Sequence, residues 1–467
     1  MWDSGLAMSA AFSKEISKQM SKHEKSQLEA GDPLGAGSTD SGPLRVTGLA
    51  SGGDGVGRLS DGRVVFVDGA VPGDRVELVD LTVRKKLARA RVGRLIEPSR
   101  DRVQPRCPHF GPCGGCRWQH VRYETQLDAK RVIVRDALER IGGFVLEQDV
   151  EIIGSPDPYG YRARARLVES EGIVGYRMRG SHAIEGIEEC PILVPAAQAA
   201  LTQLTQSVAS AGRSPIAEAP RSSARKRRAI VTWIISAGTS GPATVLEGRP
   251  KAGQKVRPKT RHEVSGKSDA CAARKSVTLE VLGERLRASS ESFIQANALL
   301  WDALAEEVRS QCTAISAEST PDRFIELYAG IGFLTLPLAR RGLSGVVIES
   351  DRSALADLGA NLSSSGFAKR VEVIRGRVEA RGDLARLFAA ADVLLADPPR
   401  IGLDAIVRDA IASAGPARLV YVSCDPATLA RDLRVFRDAG YELKSVRALD
   451  LFPQTPHVEV VTRLERV

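Results

Sequence analysis

The last third of the chain alternates strand-like and helix-like segments in a regular order. Helical stretches such as 334–341 and 352–365 separate the first five strand candidates, as crossovers between parallel strands must. The last two candidates follow one another without a helix, as a hairpin does. This alternation predicts βαβ units and an α/β fold with a mostly parallel sheet. The predicted strands are 324–328, 345–349, 371–375, 393–396, 419–423, 443–449 and 458–464.

A glycine-containing turn follows the first of these strands. Gly330 and Gly332 lead from the strand into a helical segment, and such glycines let a ligand approach the backbone closely. Glu349 ends the second strand, 19 residues after Gly330, where a carboxylate can accept hydrogen bonds from ribose hydroxyls. The third glycine of a dinucleotide fingerprint is missing, and Glu326 precedes the turn. The pattern favours S-adenosylmethionine over a nicotinamide dinucleotide, with a plain tight turn as the simpler alternative.

Two further strands end in residues that can carry chemistry. Asp397, Pro398, Pro399 and Arg400 close the fourth strand, at the edge where open α/β sheets bind ligands. A Pro-Pro pair also simply ends a strand. Cys424 lies between the fifth strand and a helix, and a helix N-terminus lowers the pKa of a thiol and favours the thiolate. A lone cysteine is more often inert core, but this position at the sheet edge favours a nucleophile.

The start of the last strand supplies candidate bases for that thiol. His457 and Glu459 lie two residues apart in a strand-like run, so their side chains share one face of the strand. Each can accept a proton during nucleophilic catalysis. The sequence therefore predicts that a thiol, a carboxylate and a general base meet at one sheet edge.

Taken together, these motifs resemble the RNA uracil-5 methyltransferases, which have a Rossmann-like class I methyltransferase domain. The resemblance is carried by Asp397-Pro-Pro-Arg, Ser423-Cys-Asp-Pro-Ala-Thr, the Pro-His-Val-Glu459 run and Ser292-Phe-Ile-Gln-Ala-Asn297. It implies that the Cys424 thiolate adds to carbon 6 of uracil, that carbon 5 takes the methyl group, and that Glu459 removes the proton from carbon 5. A stacked target base would have to be flipped out.

The same resemblance implies the binding residues. It assigns binding of S-adenosylmethionine or of the base to Gln295, Tyr328, Glu349 and Asp397, beside the glycine turn at Gly330 and Gly332. An amino-directed base methyltransferase on the same fold, with a dispensable Cys424, is the alternative that Asp-Pro-Pro leaves open.

A second group of residues suggests a metal site: Cys107, Cys113, Cys116 and Cys190. Seven cysteines in 467 residues do not make a disulfide scaffold, and crowded cysteines favour metal or redox chemistry. Four thiolates can hold a 4Fe-4S cluster or a structural zinc ion. The resemblance implies the 4Fe-4S cluster, which the ribosomal-RNA branch of the family carries, with Cys190 as fourth ligand. Cys271 and Cys312 are the other available thiols.

The regions before the catalytic segment differ in composition. Short alternating segments at 63–67, 75–79 and 88–96 are separated by Gly/Asp and Pro-Gly turns, which predicts a small antiparallel barrel. It resembles a TRAM domain, an OB-like RNA-binding module, although an adaptor barrel with a charged solvated edge is the alternative. We expect four parts: a disordered extension (1–42), the barrel (43–97), a central α+β domain with the cysteines (98–295) and the methyltransferase domain (296–467).

The net charge of +9 is concentrated in one place. Residues 213–276 carry 15 Lys and Arg against four Asp and Glu, so the rest of the chain is close to neutral. We interpret this stretch as a basic insertion that grips RNA or is merely solvated.

The sequence as a whole predicts an S-adenosylmethionine-dependent enzyme that methylates carbon 5 of a uridine, with 23S rRNA as the favoured substrate. The alternatives are a tRNA uracil-5 methyltransferase and a non-catalytic iron–sulfur protein that binds RNA. With no membrane-length apolar run and no signal peptide in this sequence, we expect a cytoplasmic monomer whose partner is RNA and not a membrane.

Overall fold

The computed structural model describes residues 42–211, 230–248, 276–314 and 322–467. The predicted extension and most of the basic insertion lie outside the described residues. The chain divides into two compact units. Within the described ranges, the first unit contains residues 42–105, 117–154 and 383–467, and the second contains 106–116 and 155–382. No helix in this part of the chain combines the length and the apolar character needed to cross a membrane.

The strands are numbered in chain order: β1 (Leu44–Arg45), β2 (Gly48–Leu49), β3 (Gly55–Arg58), β4 (Val64–Asp68), β5 (Arg75–Val83), β6 (Leu87–Glu97), β7 (Glu151–Ile153), β8 (Arg164–Ser170), β9 (Ile173–Arg177), β10 (Ile184–Gly186), β11 (Val231–Ser236), β12 (Thr244–Gly248), β13 (Ser276–Val281), β14 (Glu284–Ser289), β15 (Arg323–Leu327), β16 (Ser344–Glu349), β17 (Val371–Arg375), β18 (Val393–Ala396), β19 (Arg418–Ser423), β20 (Tyr441–Leu449) and β21 (Glu459–Arg466). The α-helices are α1 (Tyr123–Ala137), α2 (Pro195–Ala211), α3 (Trp301–Thr313), α4 (Thr335–Arg340), α5 (Arg352–Ser364), α6 (Leu384–Ala389), α7 (Ala405–Ala414) and α8 (Pro426–Asp438).

The first unit begins with a six-stranded sheet in the order β1-β5-β6-β4-β3-β2. Alternate residues such as Val65, Val67 and Val76 are fully buried, which is the period-2 pattern of strands with one face on a core. The three segments predicted here are confirmed as β4, β5 and β6. The sheet is mixed, however, because β6 inserts between β5 and β4 and runs parallel to β4. The predicted purely antiparallel pairing was wrong in that pair.

The rest of the first unit forms a second sheet in the order β18-β19-β21-β20-β7. Strands β18 and β19 are parallel, whereas β21 runs antiparallel to both β19 and β20. Helix α1 precedes β7 and continues as a π-helical turn, Leu138–Gly142, that ends at Gly143 with a positive φ of 70°. Strand β7 adds to the edge of the sheet parallel to β20, which the sequence did not predict.

The second unit contains a five-stranded antiparallel sheet, β10-β9-β8-β11-β12, and a separate hairpin of β13 and β14. Helix α2 packs into the core of the five-stranded sheet, where Leu201 and Ala197 are fully buried with Leu167. Of the predicted basic insertion, the described residues 230–248 form β11 and β12 of this sheet.

The second unit also contains three parallel strands in the order β17-β16-β15. Helices α4 and α5 connect them, as the βαβ pattern predicted. The predicted strands 371–375 and 393–396 match β17 and β18 to the residue, and the others in this region differ by a few residues at their ends. The α/β fold of this region therefore follows from its sequence alternation.

Candidate active site

The first unit brings Asp397, Cys424 and Glu459 to one end of its sheet. Asp397 directly follows β18, and Cys424 directly follows β19, which is parallel to it. Strand β21 pairs with β19 so that Val460 lies opposite Ser423. Glu459, one residue earlier, therefore begins β21 at the level of Cys424. The sheet register alone explains why residues more than 60 positions apart meet.

Cys424 is held between a strand end and a capped helix. The Asp425 side chain accepts hydrogen bonds from the backbone N–H groups of Ala427 and Thr428, both at 3.0 Å, and so caps the N-terminus of α8. Pro426 occupies the first turn, where a missing N–H costs nothing. The half-buried thiol therefore has a fixed backbone on both sides.

Burial raises the pKa of the Cys424 thiol to about 12, with Glu459 and Asp397 adding to the rise through their charge. Arg400 opposes both effects, since its charge and a hydrogen bond to the thiol lower the pKa. The sequence-based expectation of a lowered pKa was wrong for this structure. The helix N-terminus is present, but burial beside two carboxyl groups outweighs it, and the resting thiol is protonated.

Glu459 is 3% exposed, and its pKa lies well above the usual value because burial and the neighbouring Asp397 disfavour its charged form. Arg400 acts in the opposite direction. His457, the other candidate base, precedes β21 and lies edge-on to the Phe452 ring, with centroids 6.0 Å apart. His457 is not among the groups that shift the pKa of Cys424. Glu459 is thus the candidate base beside the thiol.

Arg400 is the site residue that sequence reasoning did not select. Its side chain is exposed, yet it acts on both Cys424 and Glu459. Arg400 is part of the Asp-Pro-Pro-Arg motif, and its position just after the end of a strand could have indicated a site residue. The site therefore has four members: a thiol, two carboxyl groups and a guanidinium.

The glycine turn of the second unit has the geometry of a ligand-binding loop. Tyr328, Gly330 and Gly332 have positive φ angles of 64°, 58° and 89°. A Cβ at Gly330 would meet no atom within 4 Å, whereas one at Gly332 would lie 2.8 Å from Leu336. Gly330 therefore opens onto free space, and Gly332 allows close packing behind the turn.

Glu349 holds this turn in place. Its carboxylate accepts hydrogen bonds from the N–H of Gly330 at 2.8 Å and from the N–H groups of Ser350 and Asp351 at 2.6 and 2.7 Å. A carboxylate has about four acceptor positions, so one position remains for a ligand hydroxyl. Glu326, which the sequence associated with the turn, is buried and accepts a hydrogen bond from the Thr335 hydroxyl at 2.6 Å.

The other predicted binding residues of this unit lie on neighbouring segments. The Tyr328 hydroxyl donates to Glu379 at 2.8 Å. Gln295 is 7% exposed, and its backbone carbonyl accepts a hydrogen bond from the Trp301 indole N–H at 3.0 Å. Asn361 on α5 donates to the carbonyl of Ile331 at 2.9 Å, so α5 fixes the back of the glycine turn.

The four predicted cysteine ligands lie near one another in the second unit, in a region called here the cysteine pocket. Cys113 pairs with Met178 beyond β9, and the N–H of Gly114 donates to the carbonyl of Arg177 at 3.1 Å. Burial, and then the thiols of Cys116 and Cys107, raise the pKa of Cys190 to about 12. All six cysteines of the described residues are free thiols.

This pocket contains a buried hydroxyl without a partner. Among the described residues, nothing accepts or donates a hydrogen bond at the Tyr176 hydroxyl, which interacts electrostatically with Cys190, Cys113 and Cys116. The N–H of Gly115 points at the Cys113 sulfur at 3.4 Å. Nevertheless, no three His, Cys, Asp or Glu side chains in the described ranges are arranged to hold one metal ion.

Comparisons with known proteins agree with this geometry. The sequence profile of a family described as tRNA (uracil-5-)-methyltransferase matches residues 274–467, and that of the TRAM domain matches residues 43–92. An uncharacterized RNA methyltransferase of Gloeobacter violaceus is 35% identical over 445 residues, covering 90% of this chain and 95% of the relative. The 23S rRNA (uracil(1939)-C(5))-methyltransferase RlmD of Halomonas elongata is 33% identical over 461 residues, covering 92% of this chain and 90% of the relative.

One solved structure matches nearly the whole chain. The Pyrococcus abyssi tRNA (uracil-54, C5)-methyltransferase, in complex with S-adenosyl-L-homocysteine, has a TM-score of 0.64 and 23% identity and covers 90% of this chain and 100% of that one. At this identity the likeness shows the fold alone. Fold and site together define a methyltransferase with a cysteine at its sheet edge. The chain belongs to the RNA uracil-5 methyltransferase family, which confirms the predicted family, fold class and enzyme class.

Proposed function

We propose that this enzyme transfers a methyl group from S-adenosylmethionine to carbon 5 of a uridine in 23S rRNA. The observation that carries the chemistry is the meeting of Cys424, Asp397, Glu459 and Arg400 at one sheet edge. The ribosomal substrate is supported by the named relatives, among them the enzymes of Halomonas elongata and Pectobacterium atrosepticum.

Carbon 5 of uracil is a weak nucleophile, and Cys424 overcomes this by covalent catalysis. The thiolate adds to carbon 6, which leaves an enolate that is nucleophilic at carbon 5. S-adenosylmethionine supplies the methyl group as an electrophile. Glu459 then takes the proton from carbon 5, and the electrons of that bond expel Cys424. Asp397 is placed to accept a hydrogen bond from the base or the cofactor.

Arg400 supplies the positive charge that these steps need. It stabilises the Cys424 thiolate by charge and by a hydrogen bond, against the two carboxyl groups. Once the thiolate has become a thioether, its charge has moved to the uracil, and the carboxylate form of Glu459 no longer faces a neighbouring thiolate. The exposed position of Arg400 leaves it accessible to an incoming RNA.

The covalent step is testable with a trapped adduct. RNA containing 5-fluorouridine has no removable proton at carbon 5, so the full chain should form a stable covalent complex through Cys424. Cys424→Ala should abolish both the adduct and methyl transfer. Methyl transfer at the normal rate by Cys424→Ala would refute the mechanism and favour the amino-directed alternative.

A tRNA substrate is the second candidate, because the matching family profile and the Pyrococcus abyssi enzyme are described as tRNA methyltransferases. Mapping 5-methyluridine in both RNA classes from a deletion strain separates the two. Loss of a 23S rRNA site supports the proposal, and loss only in tRNA overturns it. If 5-methyluridine is unchanged in every RNA, the non-catalytic alternative is favoured.

The glycine turn is the place for S-adenosylmethionine. The open space at Gly330 lets a ligand lie against the backbone, and Glu349 beside it keeps one acceptor position for a ribose hydroxyl. Gln295 and Tyr328 are the further proposed binding residues in the second unit. Asp397, in the first unit, is the remaining candidate. Glu349→Gln should weaken S-adenosylmethionine binding, measured by calorimetry, because its amide nitrogen cannot accept and would face a backbone N–H of the turn.

The cysteine pocket would hold a 4Fe-4S cluster through Cys107, Cys113, Cys116 and Cys190. A zinc ion with bonds of about 2.3 Å would bring four sulfurs within about 3.8 Å of each other. The buried Tyr176 hydroxyl, which has no partner among the described residues and interacts with Cys190, Cys113 and Cys116, could donate to a sulfide of a cluster and so supports the cluster over the zinc ion. The cluster would be structural. Iron and sulfide analysis of anaerobically purified protein tests this, and stoichiometric zinc without iron would overturn it.

The remaining parts of the proposal concern the cell. RNA is the partner, held in part by the TRAM domain at 43–92, and the enzyme acts in the cytoplasm as a monomer. Light scattering of the RNA-free protein tests the oligomeric state, and fractionation tests the location.

A further inference from the structure

A buried carboxylate on the helix that follows Cys424 controls the loop that carries Arg400. Asp432 on α8 is fully buried. One of its oxygens accepts hydrogen bonds from the N–H of Leu403 and from the Tyr421 hydroxyl, both at 2.8 Å. The other oxygen accepts hydrogen bonds from the Arg408 side chain at 3.1 Å and from the Arg431 side chain at 2.9 Å. A single side chain thus joins β19, α7, α8 and the loop between β18 and α7.

The backbone of that loop, residues 397–404, is closely held. Arg431 donates to the carbonyl of Ile401 at 2.8 Å, and Thr428 donates to the carbonyl of Arg400 at 3.1 Å. Gly402 lies directly on the carboxylate, because a Cβ at this position would be 2.5 Å from the Asp432 oxygen. Its φ of 76° also favours glycine. Little room is left for the loop to move.

Stability alone does not explain this arrangement. A buried charge network of this kind is often no more stable than an apolar replacement of the same shape. The Tyr421 pKa is raised well above its usual value by burial and by Asp432, so this phenol stays a donor. The network bonds the loop backbone at Leu403, three residues after Arg400, the group that offsets the carboxyl groups at Cys424.

We propose that Asp432 is a positioning residue: it fixes the 397–404 loop so that Arg400 faces the Cys424 thiol and promotes thiolate formation. The inference concerns the thiol itself, and it relies on the proposed function only for its role in methyl transfer. Asp432 would act through Arg400 and not by touching substrate.

Alkylation of Cys424 tests this without RNA or methyl donor. Trypsin cleaves after Arg418 and Arg431, so the peptide 419–431 isolates this cysteine, and mass spectrometry gives its rate of reaction with iodoacetamide between pH 7 and 10. Arg400→Gln should lower the rate at fixed pH about tenfold, equivalent to a pKa rise of about one unit. Asp432→Asn should lower it three- to tenfold in the same direction.

A double-mutant cycle separates positioning from a general structural effect. If Asp432 acts through Arg400, the double variant Arg400→Gln/Asp432→Asn should react no more slowly than Arg400→Gln alone. Asp404→Asn is the matched control, because it makes the same chemical change in the same loop at an exposed helix cap and should leave the rate unchanged.

Three results would overturn the proposal: an unchanged profile in folded Asp432→Asn, multiplied effects in the double variant, or an unchanged profile in Arg400→Gln. Asp432→Ala removes every acceptor and should lower the rate at least as much. If that variant does not fold, Asp432→Asn, which keeps the shape, decides. The assay measures only the reactivity of the thiol. A negative result would therefore overturn the role of Asp432 without affecting the proposed methyl transfer, and the role of Asp432 can still be tested if the proposed methyl transfer is wrong.

Discussion

The buried pair of Lys130 and Asp450 leads to a sharp prediction about stability. Both side chains are fully buried. The Lys130 ammonium also donates to the carbonyl of Phe452 at 3.1 Å and lies 5.8 Å from the centre of the Trp118 ring. The pair connects helix α1 to the segment that leads into β21, the strand that begins at Glu459. Lys130→Met keeps most of the volume and removes the charge.

The expected cost follows from what the substitution leaves behind. The Asp450 carboxylate would lose its cation while it stays buried, and removing one partner of such a pair destabilises by about 3–5 kcal/mol. Removing the second charge as well, in Lys130→Met/Asp450→Leu, should restore most of the loss, because a well-packed apolar pair is often as stable as the ionic one.

Urea unfolding followed by tryptophan fluorescence measures both effects, with the buried Trp118 as a reporter next to the change. Lys444→Met is the matched control. Lys444 is exposed and pairs with Glu442 at the surface, so its loss should change the free energy of unfolding by less than about 1 kcal/mol.

The reasoning fails if Lys130→Met unfolds within about 1 kcal/mol of the wild-type protein. It also fails if the double variant is no more stable than the single one, because the cost would then come from lost packing and not from the unpaired charge. Equal slopes of the unfolding free energy against urea are needed for the comparison.

Further predictions concern the pH dependence of the reaction, the glycine turn and the cysteine pocket. Because Cys424 and Glu459 have raised pKa values and act deprotonated, kcat/KM should rise with pH from 7 to 9, and a flat profile would contradict this. Gly332→Ala forces a Cβ to 2.8 Å from Leu336 at a positive φ, so calorimetry should show S-adenosylmethionine binding weakened at least tenfold. If the four cysteines hold the proposed cluster, Tyr176→Phe should lower its reduction potential without loss of iron, because a hydrogen bond to sulfur stabilises the reduced form; an unchanged potential would contradict such a hydrogen bond.

The sequence predicted strand bounds best where turns mark both ends of a strand. Strands β17 and β18 were found to the residue because turns bound them clearly. Strand β8 begins only at Arg164, since the N–H groups of Arg162 and Ala163 donate to the carbonyls of Ile192 and Ala296 and not to a neighbouring strand. Such loop-to-loop bonds depend on tertiary contacts that no local pattern reveals.

Two elements were missed for local reasons. Helix α2 is rich in Ala, Gln, Thr and Ser and shows only a weak apolar stripe. The β13–β14 hairpin turns at Leu282 and Gly283, both with positive φ, where a hairpin signal would normally be Asn-Gly or Asp-Gly. A leucine in the left-handed region is not a pattern that sequence reading selects.

For the site, strand order and motif position were enough to predict that Cys424, Asp397 and Glu459 come together. The direction of the thiol pKa was not predictable, because it depends on how much burial and carboxylate charge surround the sulfur. The effect of Arg400 on Cys424 and the bonds that hold its loop likewise form only when the chain is folded, since those bonds link residues 29 and 30 positions apart through side chains.

The four groups at the sheet edge impose an order on the reaction. Burial and the neighbouring Asp397 disfavour an ionised Glu459, which limits the negative charge around the Cys424 thiol before it attacks. Thiolate formation therefore has to coincide with charge transfer onto the uracil, whose oxygen carries the negative charge away from the carboxyl groups. Glu459 acts after that transfer, when its carboxylate takes the proton from the methylated carbon 5 and the electrons of that bond expel Cys424. A pocket that held an ionised Glu459 throughout would oppose nucleophilic attack, so the raised pKa of Glu459 serves the first step as well as the last.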